Sequence, residues 1–414
     1  MMAPGLLTAA GIGFAGLSIA THVTAAALVA RRLDGDGPAH RLPLDRLRPS
    51  RRTNVPPAAP MPDAGPRITL LRPACGIDAL DPITLGSSFG LTHPDHEVIF
   101  CVAHENDPAA GLLRRLIAAH PDAPARLMVG ETHISANPKL NNLEKGLQAA
   151  RGRFVVMADA NLMLPPDYLE TLEAEWHAAE NRVPGVGLVT SPPAAVAPEG
   201  FWALVECAFL NGYQGSWQLA ADQLGLGYAQ GKTLMWRRDL LLAWGGLAVL
   251  GRDLAEDVGA TKMVRRAGLA VRLTRAPFAQ LVGRRSLKAI WTRQLRWARV
   301  RRAGFPALFY PEILTGALPP LATLAALAAS GAIGWIWPLL AAALWYGVEG
   351  ALARRAGWPA GPKALLAAVL RDLMIPALWA WSLTARGFEW RGTAMDAAED
   401  GPRIARPAHP VAAE

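Results

Sequence analysis

Residues 1–30 carry no charged side chain; His22 and a few hydroxyls are the polar groups among apolar residues. About 20 apolar residues suffice to cross a bilayer as a helix, so this stretch predicts a membrane anchor. A secretory signal peptide would carry basic residues ahead of its apolar run, and Met1-Met2-Ala3-Pro4-Gly5 has none. The positive charge follows instead, at Arg31, Arg32, Arg41, Arg46, Arg48, Arg51 and Arg52. The positive-inside rule then puts the N-terminus outside and all that follows Arg31 in the cytoplasm. A second charge-free run covers residues 313–348. As one helix it would reach about 54 Å, too long for a single crossing of a ~30 Å core. Pro319-Pro320 and Gly331 break it, which predicts a helical hairpin or re-entrant pair. A third apolar run, residues 364–385, contains Arg371-Asp372 and is flanked by Arg354, Arg355, Lys363, Arg386 and Arg391. A lipid-facing charge is costly, so this run reads as an interfacial segment or one packed against protein.

Between these runs the composition is that of a folded domain. The 414 residues are 51% hydrophobic overall, with a formal net charge of +8. A basic balance suits an anionic partner such as a membrane surface or a phosphate-bearing substrate. Nucleic acid is not expected, because no binding motif or basic patch interleaved with aromatics appears. Cys75, Cys101 and Cys207 are scattered without a CxxC pair and read as core thiols of a reducing compartment.

Short apolar strands alternate with helical patterns from Arg67 onward. Residues 67–71, 97–103, 125–129, 154–158, 187–191, 234–236 and 269–273 read as strands, and residues 112–119, 141–151, 200–210 and 287–300 as helices. This alternation predicts an α/β domain with a doubly wound, mostly parallel sheet. The strand Phe154-Val155-Val156-Met157-Ala158 ends on Asp159-Ala160-Asn161, before Pro165-Pro166-Asp167 opens a helix. Ligands of open α/β sheets bind at the carboxyl ends of strands, where two oxygen side chains one residue apart can approach one hard cation. An Asx-turn closing the strand accounts equally well for this stretch alone. Gly225 to Thr233 contains Gly231-Lys232-Thr233 but has Leu226 where a P-loop needs glycine, and a strand follows it rather than a helix. A nucleotide-triphosphatase loop is therefore excluded.

Carboxylates recur at Asp107, Asp159 and Glu256-Asp257, and Arg293-Gln294-Leu295-Arg296-Trp297 lies on a later helix. Each alone has a plain structural reading: a turn before Pro108, a strand end, a helix start, a solvated basic face. In this order, with Arg72-Pro73, Gly76-Ile77-Asp78, Cys101-Val102, Asp107-Pro108 and Asn137-Pro138-Lys139-Leu140-Asn141-Asn142-Leu143, the chain resembles the ceramide glucosyltransferases, family 21 of the glycosyltransferases and related to family 2. The resemblance covers residues 68–309.

The resemblance implies a GT-A fold (Rossmann-like, mostly parallel) with membrane helices at both ends, and a hexosyltransferase that inverts the anomeric carbon. It implies a UDP-sugar donor, most simply UDP-glucose, and a divalent metal, Mg2+ or Mn2+. Asp107 is expected near the nucleotide, Lys139 and Asn161 near the donor, and Asp159 on the metal and diphosphate. Asp257, with Glu256 beside it, is expected as the general base, and Arg293, Arg296 and Trp297 at the acceptor and diphosphate side. A carboxylate suits proton removal from a lipid hydroxyl, and guanidinium groups with a cation suit a diphosphate leaving group. Two departures stand out. His104-Glu105-Asn106 replaces a more acid-rich run before Asp107, and Asn161 stands where many relatives of the wider superfamily have a second aspartate.

The expected organisation is an N-terminal transmembrane anchor (1–32), a linker (33–66), a cytoplasmic catalytic domain (67–304), membrane or interfacial helices (305–391) and a disordered tail (392–414). The protein is expected in the inner (plasma) membrane, multi-pass, joining its sugar to a ceramide-like hydroxyl presented by the bilayer. Diacylglycerol or a hopanoid as acceptor, a processive polysaccharide synthase and a catalytically dead scaffold are the readings left beside it.

Overall fold

The computed structural model describes residues 4–34, 67–385, 387–390, 393–396 and 403–404. The expected linker lies, from residue 35 on, outside the described residues. Within the expected tail, Thr393–Asp396 and Arg403–Ile404 are strands that join Phe388–Trp390 in a small antiparallel sheet, and the remainder lies outside the described residues.

The chain folds as two compact units. The first contains residues 40–193 and 225–281 and is built on a seven-stranded sheet. Its strands are β1 (Ile68–Ala74), β2 (His96–Val102), β3 (Ala125–Val129), β4 (Phe154–Ala158), β5 (Val186–Thr190), β7 (Thr233–Arg237) and β8 (Ala270–Leu273). Two further strands, β6 (Pro193–Glu199) and β9 (Phe278–Arg284), pair with each other. The sheet order is β3-β2-β1-β4-β7-β5-β8, parallel throughout except that β7 runs antiparallel to both neighbours. This is the α/β, GT-A arrangement that the resemblance implies.

The strands are apolar on both sides because helices cover both faces. On one face Leu70, Phe100 and Val156 share a core with Leu113 of helix Pro108–Ala119 and Leu172 and Trp176 of helix Tyr168–Glu180. On the other, helix Pro138–Ala149 lies close over β1 and β2. A Cβ added at Gly146 would stand 2.7 Å from Cys101 Sγ and 3.2 Å from Leu71 Cδ2, so only glycine permits this approach.

The carboxyl end of β4 is held from beneath. Arg72 of β1 is fully buried and donates to the carbonyls of Asp159 (2.8 Å), Ala160 (3.0 Å) and Leu162 (3.0 Å). Its other nitrogen donates to the Thr84 carbonyl and to Ser88 Oγ, both at 2.9 Å. Burial lowers the guanidinium pKa to about 10, offset in part by the charges around it, and the group remains cationic at neutral pH.

The second unit gathers residues 1–39, 194–224 and 282–386, so these last two stretches cluster with apolar helices rather than with the sheet. Among the described residues four helices are long and apolar enough to cross a membrane: Gly5–Asp34, Pro306–Ala329, Ile336–Ala356 and Pro362–Ser382. The run at 313–348 does divide, at Gly331 (φ +77°), whereas Pro319 and Pro320 sit in the first turn of helix Leu318–Ala329. Ala15, Leu324 and Ala341 pack together, and the His22 ring stacks on Trp345 at 3.9 Å. Arg371 and Asp372 are each 2% exposed. Arg371 pairs with Glu349 and, at 2.8 Å, with Asp372, which also accepts from Tyr346 Oη at 3.0 Å. Of the two readings of this run, an interfacial segment or one packed against protein, the burial of both charges fits the second, and the charges no longer argue against a crossing helix.

Replacing Arg72 with Met would leave buried carbonyls of the β4 loop without donors. The variant should be destabilised by about 3 kcal/mol, measured by chemical denaturation of the full chain in detergent, with Arg72→Lys recovering only part.

Candidate active site

The antiparallel direction of β7 decides which residues meet. Ala158, the last residue of β4, pairs with Thr233, the first of β7. Lys232 therefore stands beside Asp159, whose backbone N–H donates to the Lys232 carbonyl at 3.1 Å. The Lys232 ammonium donates to Asp159 Oδ2 at 2.8 Å and to Asn161 Oδ1 at 3.1 Å.

A second lysine reaches the same carboxylate from another element. Asn137 caps helix Pro138–Ala149, accepting from the amides of Lys139 (2.9 Å) and Leu140 (3.4 Å), with Pro138 in the first turn. This cap sets Lys139, whose ammonium lies 2.6 Å from Asp159 Oδ1, 2.6 Å from Glu256 Oε1 and 2.8 Å from the Gly231 carbonyl. Asn137 Nδ2 donates to the other Glu256 oxygen at 3.1 Å. The next residues of the motif hold its surroundings. Asn141 accepts from the amides of Ile134 and Ser135, and Asn142 donates to the Cys101 carbonyl at the end of β2.

Glu256 and Asp257 begin helix Glu256–Arg266, where two carboxylates in the first turn also complement the helix dipole. Asp257 accepts from the Gly231 amide at 3.1 Å and the Val258 amide at 2.9 Å. A Cβ at Gly231 would come within 2.7 Å of Glu256 Oε1, so a larger residue there would displace the carboxylate that holds Lys139.

The electrostatics separate the carboxylates. Burial pushes the Asp159 carboxyl up, but the ammonium groups of Lys139 and Lys232 outweigh it and hold the group well below the usual range. Burial likewise lowers Lys139, and the charges of Asp159 and Glu256 reverse this and raise it. Asp257 behaves oppositely: burial and then the negative charge of Glu256 push it up to about 6. Asp159 is thus a fixed anion, 23% exposed, while Asp257 titrates near neutrality, as a proton acceptor must.

The other expected residues fall elsewhere. Asp107 caps helix Pro108–Ala119 through the Ala109 amide (2.8 Å) and accepts from the Gly76 amide at 2.9 Å, tying the segment after β1 to that after β2. Among the described residues it makes no hydrogen bond to the Asp159 cluster. Arg293, Arg296 and Trp297 lie on helix Leu287–Gly304 of the second unit. There Arg293 pairs with the buried Glu206, and Trp297 packs on Ala203, Cys207 and Val282.

The donor set at Asp159 fits a hard cation in one limited sense. Two oxygens, from Asp159 and Asn161, converge on one cationic point, the Lys232 ammonium. Among the described residues no three His, Cys, Asp or Glu side chains are grouped to hold a metal ion.

A glycosyltransferase site on a GT-A sheet is the class this arrangement defines. The model of glycosyl transferase family 21 matches residues 42–403, and the chain belongs to that family. Ceramide glucosyltransferase 1 of Caenorhabditis elegans is 26% identical over 249 residues, 60% of this chain and 53% of that protein. The ceramide glucosyltransferase of Komagataella phaffii is 37% identical over 107 residues, 25% of this chain and 21% of its own length. The chain spans about half the length of the first of these relatives. A mannosyltransferase from Pyrobaculum calidifontis, solved with GDP-Man and Mn2+, has a TM-score of 0.49 at 19% identity, covering 89% of this chain and 99% of its own.

Lys139→Met would leave Asp159 and Glu256 short of a shared counter-charge. The cost at pH 7 should be about 3 kcal/mol, read by denaturant unfolding. The depressed Asp159 pKa stabilises the fold above the ordinary aspartate pKa and ceases to as pH falls through the depressed value. Repeating the measurement near pH 4, where the variant's carboxylates take up protons, should therefore show a smaller penalty.

Proposed function

We propose that this family 21 enzyme transfers one hexose, glucose in the simplest case, from a UDP-sugar to the hydroxyl of a ceramide-like lipid, with inversion. The observation that carries the reading is the Lys139-bridged cluster at the end of β4, where a fixed anion, Asp159, neighbours a carboxylate that titrates near 6, Asp257. The names of the curated relatives support the sugar and the acceptor.

Asp257 takes the acceptor hydroxyl proton as that oxygen attacks the anomeric carbon, and the bond from that carbon to the diphosphate oxygen breaks. UDP leaves with the bonding electrons. Its growing negative charge meets the lysines of the cluster, which are already oriented by carboxylates and need little rearrangement. Asp159 and Asn161 would hold a divalent cation, which would supply further neutralisation of the leaving group. Glu256 positions Lys139 and raises the basicity of Asp257 by its charge. Asp107 orders the segments after β1 and β2, where the nucleotide is expected to lie. Arg293, Arg296 and Trp297 are assigned to the acceptor side by the family resemblance. The four apolar helices support a membrane-bound enzyme working on a lipid substrate, with its sheet unit in the cytoplasm at the inner membrane by the positive-inside rule.

Asp257→Asn should lower turnover by at least about a hundredfold, measured by mass spectrometry of glycolipid formed from ceramide and UDP-glucose. The wild-type rate should be half-maximal near pH 6, level off about one unit above and fall about tenfold per unit well below it, because the base is progressively protonated. Product carrying more than one hexose would favour the processive reading instead.

A further inference from the structure

The Gly231-Lys232-Thr233 sequence, excluded as a P-loop, nevertheless delivers a lysine to the point where a donor diphosphate is expected. Antiparallel pairing of β7 with β4 brings Lys232 against Asp159. Its ammonium takes one oxygen from Asp159 and one from Asn161, at 2.8 and 3.1 Å. Those are the same two oxygens a cation would use. Asn161 is neutral, so this pair of side chains carries a single negative charge, and the Lys139 ammonium already lies 2.6 Å from Asp159 as well. A divalent ion would leave that pair with an excess positive charge until a diphosphate arrived.

The two lysines share Asp159; beyond it Lys139 reaches Glu256 and Gly231, and Lys232 reaches Asn161. Lys139 has three acceptors, Asp159 Oδ1, Glu256 Oε1 and the Gly231 carbonyl, matching the three donors of an ammonium. It is fixed as part of the framework. Lys232 precedes a strand, and its ammonium spans Asp159 and Asn161 at the carboxyl end of β4; its side chain is 13% exposed, close to the 10% of Lys139, and Asp159 is 23% exposed. A lysine has a flexible four-carbon stem and rotatable donors, so Lys232 can turn to a new anion without moving the backbone.

We propose that Lys232 is a built-in cation for the donor diphosphate: it spans Asp159 and Asn161 before the donor binds and turns its ammonium onto the diphosphate when the nucleotide enters. Lys232 thus supplies part of the neutralisation that a divalent ion would also supply, and donor binding tolerates loss of the metal. The inference rests on the reading that the donor is a nucleoside diphosphate sugar.

The test is calorimetric titration of UDP into the purified full chain in nanodiscs, with Mn2+ or with EDTA, for wild type, Lys232→Met and Lys232→Arg. Charge-assisted hydrogen bonds of this kind change affinity by about tenfold or more. Wild type should bind UDP in EDTA within about tenfold of its affinity in Mn2+. Lys232→Met should weaken binding in EDTA by at least about tenfold and recover in part with Mn2+, and Lys232→Arg should stay within about threefold of wild type. Wild-type binding that vanishes in EDTA, together with Lys232→Met equal to wild type in Mn2+, would overturn the role of Lys232 and leave the donor assignment standing. No UDP binding in either condition would remove both.

Discussion

The ammonium of Lys139 is the point on which the sheet unit's chemistry depends. It touches Asp159 after β4, Glu256 at the start of helix Glu256–Arg266 and the carbonyl of Gly231 ahead of β7. Three elements far apart in the chain are therefore clamped by one cation, and each contact satisfies a buried or half-buried charge that would otherwise be costly. The clamp also differentiates the carboxylates. Asp159 and Glu256 each receive the lysine directly, whereas Asp257 bonds only to amides of Gly231 and Val258 among the contacts described. Its neighbour Glu256 remains a like charge, so Asp257 is pushed up while Asp159 is held down. Two roles follow from one lysine: an anion that stays ionised, and a base that can accept a proton.

That clamp requires the β4 loop to be rigid, and Arg72 provides this. A guanidinium inside a sheet is costly unless its donors are used, and here one terminal nitrogen serves carbonyls of the loop that carries Asp159 and Asn161 and the other serves Thr84 and Ser88, while Nε is buried without a partner among the described residues. The carbonyls that leave the strand ladder at its end are thus satisfied from within the protein. Glu97 makes the contrast. It too is buried in a strand, and it accepts from Thr69 Oγ1, Arg126 and the Arg151 amide. It stands toward the amino ends of the strands, where it closes the sheet and takes no part in the candidate site.

Much of this was legible in the sequence, and the limits have identifiable physical causes. Strands β3 and β4 fall at the expected residues because short β-branched and apolar runs between turn formers have few alternatives. Asp159, Glu256 and Asp257 were marked by their place at element ends, and Lys139 by the motif around it. Lys232 was set aside because its surroundings fail as a P-loop, and the reason it matters is strand direction, which composition and periodicity do not report. Asn137 and Arg72 were visible only as letters of a motif. Their roles, a cap that also donates to Glu256 and a buried donor to loop carbonyls, depend on contacts across long sequence separations. Strands β6 and β9 escaped because Pro193 and Pro198 interrupt one, while Gln280 at an inward position and Gly283 break the apolar pattern of the other.

The second unit applies the same rule about buried charge to a different end. Arg371, Asp372, Glu349 and Tyr346 form a network on helices otherwise apolar, and Arg371 also donates to the Ala208 carbonyl at 3.2 Å. Arg371 and Asp372 lie almost wholly out of solvent, so their charges serve one another and the packing of the helices. In the sheet unit the charges are equally well matched, yet Asp159 remains 23% exposed. Matching alone therefore does not mark a candidate active site. What separates the two is that one network closes on itself, while the other presents an anion, a displaceable ammonium and a carboxylate titrating near 6 at the carboxyl end of a parallel strand. A polar substrate entering there exchanges partners with groups already ionised and oriented, and the fold need not reorganise to receive it.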